Sequence, residues 1–314
     1  MISFLNNSAT DTYINHVMFN PFLPLHHFLP LRFKFLPESF VLKDGKNCKG
    51  LITVAPTKCR NKKMEIQKLF FEENSYQDAS ELIQFVVSKY KAMGASSIIV
   101  KVDDYLPELL TMLVSKCGFN QISYEKLWRI TDFLDTKFDK KEYRSFRNSD
   151  SQAVSNLYND SLLPHFRPLL SKEVGEFKEA ILKGLSYFSE YKYVIEDKNT
   201  HTVVGAITIQ TLDNENYIID IIQAGWVNID INSAISYAIY QIKKRKKKFG
   251  LFIKSKRYTN VGEKYENLFK ENKFNCVQNQ IVLTNSSAKI LKNTCKTGKF
   301  TVISDFCPTK PMTT

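Results

Sequence analysis

One order of secondary-structure signals occurs twice along the 314 residues, and this repeat constrains the fold more than any other feature. In each half, strand patterns separated by turn signals are followed by an amphipathic helix, another strand, a short helix and a last strand. Helical patterns also precede the strands of the second half. The repeat predicts an α+β fold with a mixed sheet, built as two similar units in which helices flank a mostly antiparallel sheet.

The first half begins with strand patterns that are bounded by turn residues. The dipeptide Asp44-Gly45 separates the first two patterns, and a polar loop separates the second from the third. Short connections of this kind predict an antiparallel meander. The three predicted strands are Ser39–Lys43, Gly50–Ala55 and Met64–Phe71.

A helix and a buried strand are predicted after the meander. Apolar residues at helical spacing favour a helix that ends just before Gly94, with Ser80 or Asp78 as its N-cap. Ser97–Val102 then reads as a fully buried strand. Beyond it, a short helix and one last strand pair or long strand complete the first half.

The second half contains the longer set of elements. The predicted helices are Ser149–Leu163, Glu173–Leu185, Asn232–Lys247 and Lys264–Glu271. The predicted strands are Tyr193–Glu196, Val203–Thr211, Tyr217–Trp226, Leu251–Lys254 and Phe274–Leu283. This set of elements predicts a second complete sheet unit.

Proline and charge mark the expected domain limits. The first 37 residues are apolar and contain four prolines, which exclude a long helix and predict an extended arm. A charged stretch lies between the halves. The predicted division is an arm over 1–37, a first unit over 38–131, a linker over 132–146, a second unit over 147–288 and a tail over 289–314.

Leu110–Phe119 reads LTMLVSKCGF and Leu268–Phe274 reads LFKENKF, so the two halves share one step from a short helix into a strand. Both segments resemble the "LYEKLGF" step of the GNAT superfamily of acetyl-CoA-dependent N-acetyltransferases. Arg147–Asp160 resembles the family's first strand and helix. The resemblance covers residues 38–130 and 143–285 and implies tandem GNAT-like units, the first of them truncated.

The resemblance implies acetyl-CoA as co-substrate and transfer of its acyl group to a small-molecule or protein amine. The family's motif Q/R-x-x-G-x-G/A presents backbone N–H groups and a helix N-terminus to the coenzyme pyrophosphate. The matching segments here are eroded, since neither contains a glycine at these positions. The implied coenzyme-binding residues are Asn74, Ser75, Tyr76, Gln77, Asp78 and Ala79 in the first unit, and Val227, Asn228, Asn232 and Ser233 in the second.

Three residues are candidates for acid–base catalysis. Asp220 interrupts the apolar strand pattern YIIDIIQ, and Glu65 lies in another strand pattern. A buried carboxylate would have a raised pKa and could act as a base toward the amine. The family's proton-donating tyrosine matches Phe269, and Tyr265 lies one helical turn before it. These residues can equally serve as core or surface positions.

The net charge of +12 supports an alternative function. Lys243 to Arg257 contains nine basic residues and no acidic one. A run of this kind attracts polyanions, although it is often only a solvated surface. A catalytically inactive GNAT-like protein that binds RNA or a protein partner through this run is therefore the alternative to an acyltransferase.

Other classes of site lack support in the sequence. The six cysteines form no C-x-x-C pair, and no histidine lies at metal-ligand spacing from them, so no metal site is expected. No uninterrupted apolar stretch is long enough to span a membrane. The N-terminus lacks the basic and apolar regions of a signal peptide, and a cytoplasmic location is expected.

Overall fold

The structure, a computed structural model, describes residues 38–44, 47–56, 63–72, 75–131, 137–179, 189–223, 225–227, 229–286, 290–291 and 302–303. The predicted arm over 1–37 and most of the predicted tail lie outside these residues. The described residues form one large sheet of eleven strands with helices on both faces. The predicted fold class is confirmed.

Of the described strands of the large sheet, the first five lie in the first half of the chain and the other six lie in the second half. They are β1 (Glu38–Asp44), β2 (Asn47–Pro56), β3 (Lys63–Phe71), β4 (Ser97–Asp103), β5 (Asn120–Arg129), β6 (Tyr143–Ser145), β7 (Ser189–Glu196), β8 (Val203–Thr211), β9 (Asn216–Gln223), β10 (Gly250–Lys256) and β11 (Asn275–Ser286). A separate two-residue pair joins β12 (Ile290–Leu291) to β13 (Val302–Ile303).

Seven α-helices connect or precede these strands in the described residues. They are α1 (Tyr76–Ala92), α2 (Pro107–Ser115), α3 (Ser151–Ser161), α4 (Arg167–Leu170), α5 (Val174–Phe177), α6 (Ile231–Lys243) and α7 (Gly262–Glu271). The left-handed conformation of Gly94 and Gly118, with φ of 94° and 68°, allows sharp turns after α1 and α2.

The order of strands shows how the two halves interlock. From edge to edge it is β1-β2-β3-β4-β11-β5-β10-β9-β8-β7-β6. The last strand of the first half, β5, pairs with β10 of the second half. Reciprocally, the last strand of the second half, β11, pairs with β4 of the first half. β5 and β11 pair with each other at the centre, so each half completes the sheet of the other.

The exchanged strands also contribute to the opposite cores. Leu283 of β11 is fully buried in the apolar core that α1 and α2 cover in the first half. Trp128 of β5 packs in the core beneath α6 and α7, with its ring centroid 6.0 Å from that of Phe269. Residues of α3 to α5 cover the other face of the central strands.

Two parallel strand pairs open into wedges, one in each half. β3 and β4 pair in parallel only as far as Ile66 and Val100. β9 and β10 pair in parallel only as far as Ile219 and Ile253, although β9 continues to Gln223. Beyond these points the facing backbone groups of each pair separate, which leaves a cleft in the sheet.

Several predicted element limits are corrected by the structure. The first helix begins at Tyr76, before both predicted caps, because Tyr76, Ala79 and Ser80 also pack toward the core. The strand predicted through Trp226 ends at Gln223, and the helix predicted through Lys247 ends at Lys243. The predicted helix Glu173–Leu185 is helical over four residues, and its last part lies outside the described residues.

The strand exchange predicts that a change in the second half destabilises the first. Leu283→Ala is expected to lower the free energy of unfolding by about 3 kcal/mol, because it leaves a cavity in the core under α1 and α2. Amide hydrogen exchange should become faster in α1 and α2. Val277→Ala on the same strand is the control, because Val277 is 49% exposed. Faster exchange confined to α6 and α7 would contradict the exchanged topology.

Candidate active site

The wedge between β9 and β10 contains a cavity that side chains line from both faces of the sheet. Tyr265 of α7 reaches it from one face, and Tyr158 of α3 reaches it from the other. β9 contributes Asp220–Gln223, and β10 contributes Lys254 and Lys256. The opening therefore places polar and titratable groups inside an otherwise apolar sheet.

Asp220 forms an ion pair inside this wedge. Its Oδ2 lies 2.5 Å from Nζ of Lys256. Burial alone would raise the pKa of Asp220, but the positive charges of Lys256 and Lys254 lower it below its usual value. The expected raised pKa is wrong for this residue, because the strand pattern of β9 did not reveal the lysines that face it from β10.

A second carboxylate reaches the same region from the first half of the chain. Glu125 of β5 is 5% exposed; it accepts a hydrogen bond from the Tyr258 hydroxyl and lies 3.0 Å from Nζ of Lys101. Burial opposes its ionisation, but the charges of Lys101, Lys256 and Lys254 hold its pKa well below the usual range. The electrostatics of the wedge therefore depend on both halves.

Tyr265 is fixed at the wall opposite Asp220. Its hydroxyl donates a hydrogen bond of 2.9 Å to Oε1 of Gln223, and the residue is 3% exposed. Burial, together with the negative charge of Asp220, raises the pKa of Tyr265. The phenol is therefore protonated at neutral pH. Phe269, one turn later, is fully buried in the core and takes no part in the cavity.

Glu65 does not line this cavity. It is on β3, opposite Ile99 of β4 in the parallel pair of the first half. Burial lowers the pKa of Lys101, but the negative charges of Glu125 and, less strongly, Glu65 raise it above its usual value. The structure thus brings Asp220 and Tyr265 into one cavity, whereas Glu65 lies in the paired part of β3 and β4.

The N-terminus of α6 is already capped by the chain itself. Asp230 accepts hydrogen bonds from the backbone N–H of Asn232 and from the Ser233 hydroxyl. The Asn232 side-chain oxygen accepts a hydrogen bond from Asn272, and the Ser233 hydroxyl also lies 3.2 Å from the Lys137 carbonyl oxygen. The Asp230 carboxylate therefore occupies the N-terminus of α6, which is the position that the resemblance implied for the coenzyme pyrophosphate.

The N-terminus of α1 has a different arrangement. Ser75 is buried at the N-cap position and makes no capping hydrogen bond with its side chain. Ala79 is fully buried in the first core, and Tyr76 packs against that core. Gln77 and Asp78 are exposed. The first turn therefore presents backbone N–H groups beside an exposed carboxylate.

The remaining coenzyme candidates lie in the loops before these helices. Val227 is partly buried and packs against the core beneath α6 and α7. Asn74 and Asn228 lie outside the described residues. The coenzyme-binding roles of all these residues stay predictions.

The basic run of 243–257 divides into two parts with different surroundings. Residues 243–248 are exposed at the C-terminal end of α6. A helix of this length places them about 20 Å from its N-terminus, at 1.5 Å per residue. Lys254 and Lys256 instead line the wedge. RNA binding through residues 243–248 stays a prediction.

Sequence reasoning missed several polar residues of this region, among them Glu125, Gln223 and Tyr258. Glu125 sits in a strand pattern of the first half, so no local signal linked it to the second. Gln223 ends the pattern that drew attention to Asp220 and could have been found with it. Tyr258 follows the last lysine of β10.

Two sequence expectations concern groups other than the wedge. Within the described ranges, no three His, Cys, Asp or Glu side chains come close enough to hold a metal ion. The described helices include none that is long and apolar enough to cross a membrane. Cys117 is buried and Cys276 is exposed, and both are free thiols.

Comparison with solved structures identifies the fold. A tandem GNAT protein from the clavulanic acid biosynthesis pathway, solved without AcCoA, matches with a TM-score of 0.57 at 8% identity. The match covers 81% of this chain and 84% of that one. A GCN5-related N-acetyltransferase from Sphaerobacter thermophilus matches with a TM-score of 0.57 at 9% identity, over 84% of each chain. No protein-family model matches the sequence, and no curated protein matches it.

A third solved structure, a GCN5-related N-acetyltransferase from Kribbella flavida, has a TM-score of 0.50 at 10% identity. That match covers 76% of this chain and 87% of the other. The chain therefore has a tandem GNAT fold, as the two repeated segments of the sequence indicated. At these identities the likeness concerns the fold alone.

The buried charge network predicts a defined dependence of stability on pH. The pKa of Glu125 is lowered in the folded protein, so its contribution to stability is complete above the unfolded pKa of about 4.3 and is lost as pH falls toward the folded value. Glu125→Gln is expected to lower the free energy of unfolding at neutral pH by about 3 kcal/mol, because it leaves Lys101 without its ion-pair partner.

Urea unfolding at a series of pH values measures this effect. The difference between wild type and Glu125→Gln should narrow between about pH 5 and pH 3, because only the wild type loses this contribution. Glu263→Gln is the control. Glu263 pairs with Arg257 but is 70% exposed, so its change should cost less than about 1 kcal/mol. A difference that is constant with pH would contradict the lowered pKa.

Proposed function

We propose that the protein is an acyl-CoA-dependent N-acyltransferase whose reaction takes place in the wedge between β9 and β10. The observation that carries the proposal is the position of Asp220 and Tyr265 in one cavity, where the sheet of a GNAT fold opens. The thioester of acyl-CoA supplies the electrophilic carbonyl and a thiolate leaving group. The acceptor is an amine, and acetyl is the acyl group to test first.

The wedge suits an extended chain that contains amides. Beyond Ile219 and Ile253, one edge of β9 and one edge of β10 no longer pair with each other. Backbone N–H and C=O groups on these edges can hydrogen-bond a ligand that lies between the strands. The pantetheine arm of coenzyme A has amides of this kind, which supports the wedge as the proposed position of that part of the coenzyme.

The pyrophosphate fits the second half less well. The Asp230 carboxylate caps α6 and brings negative charge to the N–H groups that would face the phosphates. Asp230→Asn retains the cap but removes this charge. Calorimetric titration at low salt should therefore show acetyl-CoA binding about fivefold tighter, equivalent to about 1 kcal/mol.

The control for this change is Asp213→Asn. Asp213 also accepts backbone hydrogen bonds, but it lies in the turn before β9, at the other end of that strand from Asp230. Its change should leave acetyl-CoA affinity as in the wild type. If Asp230→Asn also leaves the affinity unchanged, the phosphates do not approach α6, and the first-half wedge becomes the site to examine.

Asp220 is proposed to act on the amine. The pair with Lys256 keeps Asp220 ionised, so its carboxylate can accept a hydrogen bond from the amine nitrogen and stabilise the positive charge that develops there. A lowered pKa makes Asp220 a weak base before bond formation. It becomes an effective proton acceptor once the nitrogen has gained positive charge and become more acidic.

Tyr265 is proposed to supply a proton at the departing sulfur. Its hydroxyl is held by Gln223 and remains protonated at neutral pH. A protonated phenol at the cavity wall can donate to a thiolate, which prevents the sulfur from attacking the new amide. Asp220 thus acts on the nitrogen that attacks the carbonyl carbon, and Tyr265 acts on the sulfur that leaves it.

Asp220→Asn tests the proposal directly. Turnover should fall by roughly 10²-fold or more, because the amide cannot accept the proton. Acetyl-CoA affinity should stay the same, because the change lies on the amine side. The assay is acetyl-CoA-dependent thiol release with a panel of amines, and calorimetry measures the affinity.

Glu65→Gln is the comparison variant for this assay, since Glu65 lies on β3 in the first half and does not line the cavity. It should retain its turnover. Loss of turnover in Glu65→Gln with none in Asp220→Asn would move the reaction to the first half. Absence of acetyl-CoA binding by the wild type at millimolar ligand would reject the proposal.

A further inference from the structure

Lys254 differs from the other lysines of the wedge region in having no bonding partner. Its neighbours Lys101 and Lys256 hold Glu125 and Asp220 at 3.0 and 2.5 Å. Lys254 lines the cavity and is partly exposed, and among the described residues it makes no hydrogen bond or ion pair. Its amine is therefore available to contact a ligand that binds in the wedge.

The surroundings of Lys254 favour a neutral amine. Burial lowers its pKa, and the positive charges of Lys101 and Lys256 act in the same direction. Asp220 and Glu125 oppose this, but each is already paired with one of the other two lysines. Desolvation and neighbouring cations are the two conditions that convert a lysine into a nucleophile.

We propose that Lys254 is itself an acyl acceptor, so that the wedge carries an N-acyl-lysine modification of this chain. The inference rests on the proposed function for its donor, an acyl thioester bound in the same cavity. It assigns to Lys254 a role that differs from those of Asp220 and Tyr265, because Lys254 gains a covalent bond.

The step balances without any other reactant. The neutral Nζ attacks the thioester carbonyl carbon, a C–N bond forms and the C–S bond breaks. Nζ loses one proton, which Asp220 can accept, and the sulfur gains one, which Tyr265 can donate. The products are an amide on Lys254 and the free thiol, and nothing is oxidised or reduced.

The modification would change the charge of the site. An amide carries no positive charge, so Asp220 would lose one of the two cations that lower its pKa. Its ion pair with Lys256 would remain. Acylation is therefore expected to raise the pKa of Asp220 and to make it a better proton acceptor toward a second amine.

Mass spectrometry of the intact chain and of its peptides tests the inference. The full chain is incubated with acetyl-CoA and without any amine. One added acetyl group at Lys254 is expected, and none at Lys256 or Lys101. Lys254→Arg should abolish the added mass, whereas Lys247→Arg, at an exposed position outside the wedge, should leave Lys254 acetylated. Acetylation spread over the exposed residues 243–248 with none at Lys254 would overturn the inference.

A second labelling separates this inference from the proposed function. Trace amounts of a small acetylating reagent, N-acetoxysuccinimide, require no coenzyme site. Each unit by which the pKa of Lys254 is lowered gives about tenfold more neutral amine at neutral pH, so Lys254 should be labelled ahead of exposed Lys247. The excess over Lys247 should shrink as the pH rises.

The two experiments give distinct results for each failure. If calorimetry shows acetyl-CoA binding but Lys254 stays unlabelled by both reagents, the inference is wrong and the proposed function survives. If acetyl-CoA does not bind but the small reagent labels Lys254 preferentially, the proposed donor is wrong and the nucleophilic lysine is supported. Preferential labelling by both reagents supports both.

Discussion

The pairing of β5 with β11 at the centre of the sheet is the interaction on which the rest of the structure depends. Each of these strands is the last of its half, and each lies against the sheet of the other half. Leu283 completes the core under α1 and α2, and Trp128 completes the core under α6 and α7. Because the two contributions are reciprocal, neither core is complete without the other half of the chain.

The same exchange sets the electrostatics of the wedge. β5 places Glu125 opposite Lys256 of β10, so a carboxylate from the first half faces the lysines of the second. Glu125 holds Lys101 and Tyr258, while Lys256 holds Asp220. This division leaves Lys254 as the one wedge lysine without a partner among the described residues. A site that a sequence would assign to one unit is thus built from two.

The charge pattern changes how the candidate catalytic residues can act. An isolated carboxylate in an apolar strand would have a raised pKa and would serve as a strong base. Asp220 instead remains ionised beside Lys256, which suits stabilisation of charge on an attacking nitrogen. Tyr265 has the reverse property, because burial and the nearby negative charge keep its proton in place. At neutral pH Asp220 is therefore ionised, as a proton acceptor must be, and Tyr265 is protonated, as a proton donor must be.

The sequence by itself determined the order of elements and the α+β class, because these depend on local periodicity and on turn residues such as Gly94 and Gly118. The segments Leu110–Phe119 and Leu268–Phe274 added the resemblance to the GNAT fold. The sequence also marked Asp220, since a charge within YIIDIIQ is visible without a structure. Only the tertiary structure decided the strand exchange, the pairing of Asp220 with Lys256 and the position of Glu125 opposite Lys256. These features join residues far apart in the chain, and strand partners are chosen by the packing of whole sheets, which no local pattern records.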